Sequence, residues 1–589
     1  MKLKEFKKNL KTEYQNTINK KFTKREFHFK FKLRYAFLAV AGVVFAALLI
    51  QHFWVYNYNK GIKNHNNAVL NRDIDVGTST ELYPINTKQD YNHVVLSYQN
   101  THQLKKEKTS ILSYLFTFQF IGCTSDGKSM MPEAPILSPD VCTDASNGQG
   151  DNSYQTNTQV EGIDEADVAK CDGSYIYYLY NRKLYVYDLK AEKALTSTND
   201  YGFELYIYND KIISIGTGRT TLYKLDNNHL NIQEEINYER YLTSRLVQNK
   251  FYLASSNYMK EDYIRYEECY YDLYSNPYYL YSLNCYDLDT MESKETQLLS
   301  SYGTVLYASS QAFYFASQNR NFTSISIFSH DLEAVGVVKV SGYILNQFSM
   351  DEYEGYFRVV ATDTTRNAEE LNAITIFNLS DLAKVGYLDQ GIGLERQTVK
   401  SVRFDKNTCY VVTYENRDPL YEIDCSNPEN PIIISAYQAP GYSNYLHTFK
   451  IGNKEYVLGL GYTDSLQSTK ISVYEKTEEE TTQIGKDFVL AYNDYYSKAN
   501  YSNSLLKREM FENHKALFIY VDDSYLYLGA QVAYNAYLVF KIDVEAEDVI
   551  TIDKEIKLKD TAYNFSRLFL VENKIYVTNS DAVIVDDFS

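Results

Sequence analysis

The feature that constrains this chain most is a recurring unit of short, tyrosine-laced alternating segments joined by tight polar turns. It reads "ADVAKCDGSYIYYLYNRKLYVYDL" from Ala166 and "FELYIYNDKIISIGTGRTTLYKLD" from Phe203. It returns as "KALFIYVDDSYLYLGAQVAYNAYLVFKID" from Lys515 and "SRLFLVENKIYVTNSDAVIVDD" from Ser566. Alternation with period two sends successive side chains to opposite faces, the pattern of a half-buried strand. Three such strands make a unit, and a fourth segment such as "PIIISAYQAPG" or "AVGVVKVSGYI" often follows. A sheet of four strands cannot bury both faces by itself. Stacking sheets around an axis buries them and protects their edges. The units recur roughly every 40–70 residues, which is the spacing of propeller blades. The expected fold is therefore all-β, a single large β-propeller over residues 156–589. A strand-by-strand parse counts nine units, and the expectation is about eight blades, between seven and nine. Tyrosine, at 59 of 589 residues, suits strands and offers an apolar ring with a polar tip.

The final unit lacks an outer strand. The segment "TNTQVEG" ahead of the first unit is the candidate to supply it and close the ring.

A different kind of chain precedes the repeats. Residues 1–34 are a basic tail expected in the cytoplasm, and residues 35–56 an apolar run whose strongly polar members are Gln51 and His52, near one end. Some 20 apolar residues suffice to span a bilayer as a helix. Trp54, Tyr56 and Tyr58 suit the far interface, and the Lys/Arg-rich near flank stays inside. No small-residue cleavage site follows the run, so it reads as an uncleaved single-pass anchor rather than a signal peptide. Residues 57–123 read as an extracellular stalk or membrane-proximal segment, and 124–155 as a flexible Ser/Asp/Gly/Asn-rich linker. Within the former, "ILSYLFTFQFIGC" ends in a lipobox-like tetrapeptide at Cys123. It is too short to span, and a packed helix or strand is the plainer reading.

The formal charge of −17 hides an asymmetry. Residues 1–35 hold twelve Lys/Arg and three Glu, leaving 47 basic and 73 acidic residues in the remainder, a net of −26. That balance argues against nucleic acid as a partner, since phosphate binding relies on Lys and Arg, and plain solubility also accounts for the acidic charge.

Three segments resemble the bacterial and archaeal secreted proteins with a C-terminal β-propeller domain distantly related to WD-type repeats. They are "NTQVEGIDEADVAKCDGSYIYYL", "SVRFDKNTCYVVTYENRDPLYEIDCSNPENPIIISAYQAPGYSNYLHTFKIGNKEYVLGLGYT" and, more weakly, "ENHKALFIYVDDSYLYLGA". The resemblance covers about 156–589. It implies an envelope-exposed propeller and no catalytic residue. This chain departs from the family's usual pattern in having cysteine at 171, 409 and 425.

Two cysteine pairs share a spacing of 16 residues, Cys269/Cys285 and Cys409/Cys425. If each pair brackets a hairpin, the two cysteines sit opposite one another, near the reach of a disulfide. Free core thiols are the alternative.

In a propeller the first strand of each unit lines the axis. Counting back from each first turn places Asp164 and Glu165 in the first unit, with Asp167 close by. Arg403, His447 and His514 come from units six to eight, and Arg567 from the last. These units are contiguous once the ring closes, so the six residues form a candidate ligand site at the channel mouth. Asp164, Glu165, His447 and His514 are the candidate ligands of a divalent cation, and the arginines would serve an anionic group. Ion pairs that close the ring are the competing account of the same residues. No H-E-x-x-H, EF-hand or G-x-S-x-G pattern is present. The propeller holds only four histidines, at 229, 330, 447 and 514, too few for most acid–base mechanisms. "DCSNPENP" reads as a turn device.

The expected function is a non-catalytic binding or scaffolding module at the cell surface, for an extracellular protein or a cell-wall glycan, with no cofactor beyond a divalent cation at the channel mouth. A metal-assisted hydrolase at that mouth is the alternative. Insertions around 255–280 and 475–515 are the candidate recognition loops, because loops carry recognition while the blades hold shape. Tyrosine ladders such as "YYLYSLNCY" offer faces for a sugar, although blade packing also accounts for them.

Overall fold

The computed structural model describes residues 82–95 and 155–588, apart from 273, 276, 302, 320, 364–371, 394–396, 415–417, 465–467, 491–513, 533–535 and 559–565. The proposed anchor at 35–56 and most of the 475–515 insertion lie outside these residues, as do Cys123 and Cys142. Among the described residues no helix is long and apolar enough to cross a membrane.

Short antiparallel strands follow one another as the alternation predicts, in nine sheets. Seven have four strands, at 169–199, 204–237, 304–341, 350–388, 398–439, 442–490 and 518–557. The third is enlarged to seven strands around 240–300, and the ninth, at 568–587, has three. Turn chemistry punctuates them. At Asn181-Arg182, Asn227-Asn228 and Glu572-Asn573 both residues have positive φ, as two-residue hairpin turns matched to strand twist require. Asp172 Oδ1 accepts the backbone N–H groups of Ser174 (2.8 Å) and Tyr175 (2.7 Å). Asp522 does the same with Ser524 and Tyr525 at 2.7 Å each. The repeated Asp-x-Ser-Tyr is thus a carboxylate-capped turn. Asp424 of "DCSNPENP" likewise caps Ser426 N–H at 2.8 Å.

Second and third strands are buried on both faces, as in Tyr175–Tyr180 and Phe322–Ser329, whereas outer strands such as Ile432–Ala439 alternate between exposed and covered. Each sheet shares an apolar cluster with the next: Leu179 with Leu205, Leu222 with Leu253, Tyr252 with Phe313, and Tyr314 with Phe357. Ile376, Val411, Leu458 and Leu528 continue the series through the fifth to eighth sheets, and Phe518 meets Leu570 of the ninth. The ninth returns to the first, where Phe569, Val571 and Tyr576 pack on Ile176, Tyr178 and Tyr187. Closure is therefore by side-chain packing.

The expected strand clasp does not form. The ninth sheet keeps three strands, and residues 157–167 run along the axial side of the ring. Asn157 Nδ2 donates to Tyr445 Oη (3.5 Å) and to the His514 carbonyl (3.4 Å). Gln159 Nε2 donates to the carbonyls of Gln347 (3.4 Å) and Met350 (3.3 Å). Ile163–Asp164 then adds a strand to the inner edge of the third sheet, opposite Leu246 and Val247. Ile163–Asp164 thereby pairs backbone groups of Leu246 and Val247 at an edge that would otherwise lack a strand partner.

The stalk is also not wholly a stalk. Tyr83–Pro84 pairs with Tyr270 and Tyr271 at the outer edge of the third sheet. Residues 88–95 are helical, and Thr87 and Asp90 cap that helix reciprocally, with Thr87 N–H to Asp90 Oδ2 at 2.9 Å and Asp90 N–H to Thr87 Oγ1 at 3.2 Å. Ile85, Tyr91 and Val94 bury against Cys269, Tyr271 and Leu299.

The axial polar network and a candidate binding face

First strands bring polar side chains to the axis because the filled centre needs partners for the backbone that crosses it. Asp167 is buried and meets the buried Arg567 bidentately, Nε to Oδ2 at 2.7 Å and Nη2 to Oδ1 at 2.6 Å. Lys515, also buried, donates to Glu204 Oε1 at 2.6 Å and to the Ala166 carbonyl at 2.7 Å. Burial, the largest influence, pulls the Lys515 ammonium down, yet the fields of Glu204, Asp167 and Glu165 leave it above its ordinary value. Arg245 donates to Thr243 Oγ1 and the Ser244 carbonyl at 2.7 Å each and to Gln347 Oε1 at 2.8 Å. Its Nε lies 3.9 Å from Glu165 Oε1.

Four of the six predicted site residues fall in one run of neighbours. Glu165 Oε2 is 3.7 Å from His514 Nε2, and the charge of Arg403 is felt by both His514 and His447. The other two go elsewhere: Asp164 pairs with Lys170 at 2.5 Å, and Arg567 with Asp167. Both histidines are fully buried. Burial first, then Arg403, lowers His447 to about 3. Burial, then Lys515 and Arg245, holds His514 well below the usual range. Both rings are neutral at pH 7. Tyr445 Oη sits 3.1 Å from His447 Nδ1, while Nε2 of that ring is buried with no hydrogen-bond partner among the described residues.

The structure does not gather the candidate cation ligands Asp164, Glu165, His447 and His514 at one point. Among the described residues no three His, Cys, Asp or Glu side chains are placed to hold a metal ion. Asp164, Glu165 and Asp167 are each engaged by a lysine or arginine. Of these pairs, Asp167–Arg567 joins the first and last units of the ring. Sequence reasoning passed over Arg245, Glu204, Lys515 and Gln347. For Arg245 a signal exists: "SRLV" at 244–247 repeats the "SRLF" at 566–569 that carries Arg567.

The disulfides are corrected. All five described cysteines are free thiols. Ser293–Ser300 intervenes between the strands of Cys269 and Cys285, so they are not hairpin partners; Cys269 stands opposite Gln297 and Cys285 opposite Tyr252 and Lys294. Cys409 faces Ile423, two residues short of Cys425. Burial raises Cys269 and Cys425 to about 12 and Cys409 well above its ordinary value, so these are inert core thiols.

The face that carries the 255–280 insertion is different in kind. Tyr258 is 59% exposed and Tyr278 48%. Tyr258 stacks on Tyr279 at 5.3 Å between centroids, and Tyr278 lies 5.2 Å from the same ring. On the second blade a pocket of about 390 Å³ opens between Asp200, Tyr201, Ser214, Arg219 and Asn237.

An uncharacterized protein of Methanocaldococcus jannaschii is 25% identical over 86% of this chain and 91% of its own length. One of Archaeoglobus fulgidus is 29% identical over 45% of this chain and 37% of its own. Among solved structures, AztD of Citrobacter koseri aligns with a TM-score of 0.34 and 12% identity over 70% of this chain and 91% of that one. Kluyveromyces lactis Hsv2p aligns with 0.32 and 13% over 59% and 95%. Scores this low carry no functional argument. The family model for the β-propeller domain matches residues 153–589, and the chain belongs to that family.

Proposed function

We propose that this chain is a membrane-anchored, extracellular, non-catalytic binding module whose recognition face lies on the enlarged third blade and its neighbour. One observation carries the reading: the insertion of the third blade holds Tyr258 and Tyr278 exposed over Tyr279. Clustered exposed aromatics mark interaction surfaces, because each ring buries a large apolar area at low entropic cost. The axis supports the same reading. Its carboxylates are compensated by Arg and Lys, its histidines are buried and neutral, and its centre is filled by residues 157–167. The anchor at 35–56 and the basic residues before it support presentation outside the cell.

The partner is an extracellular protein or a cell-wall glycan. The test is a cross-linking pull-down from intact cells, with full-length protein tagged at its cytoplasmic end. The expected result is a reproducible partner or wall fragment with the wild type, reduced at least tenfold by Tyr258→Ser/Tyr278→Ser. Equal recovery with both proteins would remove this face from recognition. Loss of the propeller to protease added outside intact cells is the expected check on topology; full protection would place the propeller inside.

A further inference from the structure

The pocket on the second blade has chemistry of its own. Its floor is Asp200, just past the outer strand of the first blade and only 4% exposed. Its Oδ1 accepts the Gly202 N–H at 2.5 Å and Ser214 Oγ at 2.6 Å, and its Oδ2 accepts Tyr223 Oη at 2.6 Å. All three donors are neutral. Among the described residues no basic side chain lies within ion-pair distance of this carboxylate, unlike Glu165, Asp167 and Glu204 in the axis. The seat is built for it: a Cβ on Gly202 would stand 2.0 Å from Ser214 Oγ and 2.7 Å from Asp200 Oδ1. The rim offers Asn237, Arg219 and the ring of Tyr201, which is 68% exposed.

That set selects a ligand class. A carboxylate has about four acceptor sites, and three are used, so Asp200 has room for one more donor. An anion is disfavoured, because Arg219 is already held by Glu235 at 2.8 Å and Asp200 is negative. A divalent cation needs about six oxygens, and a single carboxylate does not supply them. An organic ammonium meets the Arg182 guanidinium, 5.8 Å from the Tyr201 ring. A neutral sugar fits each feature: hydroxyls donate to Asp200 and bond Asn237, and a C–H face lies on Tyr201. The volume of about 390 Å³ falls in the range of small-ligand sites, about 300–1,000 Å³.

We propose that the second-blade pocket binds a neutral hexopyranose unit, with Asp200 and Asn237 bonding its hydroxyls and Tyr201 as its stacking platform. This rests on the reading of the chain as a binding module and identifies a glycan as what that module takes.

The test is saturation-transfer NMR on the full-length protein in detergent, with glucose, galactose, mannose, N-acetylglucosamine, maltose and cellobiose as probes. At least one probe is expected to receive saturation, with its Kd raised at least tenfold by Tyr201→Ala and by Asn237→Ala. Both side chains sit at the rim, so the variants should keep the wild-type melting temperature. Ile432→Ser, exposed on the outer strand of the sixth blade, should leave probe binding unchanged. No transfer to any probe, or binding that survives both rim variants, overturns the proposal. Failure here with a pull-down that depends on Tyr258 and Tyr278 leaves the binding module standing. Sugar binding without such a pull-down does the reverse.

Discussion

Asp167 and Arg567, 400 residues apart in the chain, are joined by two hydrogen bonds of 2.7 and 2.6 Å at the seam where the last blade meets the first. Both are buried, so each is the other's compensation. Removing one partner strands a charge in the interior, at a cost of about 3–5 kcal/mol. Asp167→Ala and Arg567→Ala are each expected to lower the unfolding free energy from urea titration by that much. The pair Asp167→Leu/Arg567→Met should recover most of it, because apolar replacement of both partners removes the stranded charge. A double mutant no more stable than either single variant would show that the pair does not close the ring.

The buried histidines set the acid limit of stability. An unfolded histidine titrates near 6.5, whereas His447 in the fold titrates at about 3. Between those values the unfolded chain binds the proton and the folded one does not, so stability falls as pH falls. From pH 6.5 to 5 the His447 contribution is about 2 kcal/mol at 1.36 kcal/mol per unit; His514 acts in the same direction. Melting temperature across that range should drop steeply for the wild type and less steeply for His447→Gln. Parallel slopes for the two proteins would rule this out.

The thiols should behave as core residues. With no reductant present, iodoacetamide is expected to label Cys269, Cys285, Cys409 and Cys425 fully after unfolding and hardly at all before it. Peptide mass spectrometry reads this directly, and a disulfide-linked peptide containing any of the four would contradict it.

The segment at 82–95 is part of the propeller's edge. Replacing its buried Tyr91 and Val94 by serine should release it, with hydrogen exchange at residues 82–95 rising at least tenfold while the strands at 279–300 keep their protection. Unchanged exchange would mean that those contacts do not hold the segment.

Much of this was legible in the sequence. The strand units, the turn residues and the assignment of Arg403 and His447 to first strands follow from local alternation, which a strand displays wherever it is packed; His514 instead sits in a 3-10 turn ahead of its strand, and Arg567 just precedes Leu568–Val571. The channel-mouth set was half legible. Counting residues from each turn located Glu165 and His514, which do meet, but counting cannot show that Lys170 takes Asp164 and Asp167 takes Arg567. The cysteine spacing misled for a related reason. Equal separation along the chain says nothing about a strand that enters between its two ends, as Ser293–Ser300 does beside Cys269.

The sequence by itself determined that the chain is a ring of small antiparallel sheets, because period-two burial and turn chemistry are properties of neighbouring residues. Only the tertiary structure decided how the centre is filled, what lies on the third blade's edge and which face stays open. Those outcomes depend on contacts between residues hundreds of positions apart, such as Asn157 with Tyr445 and Asp167 with Arg567, which belong to the closed ring and to no segment of it.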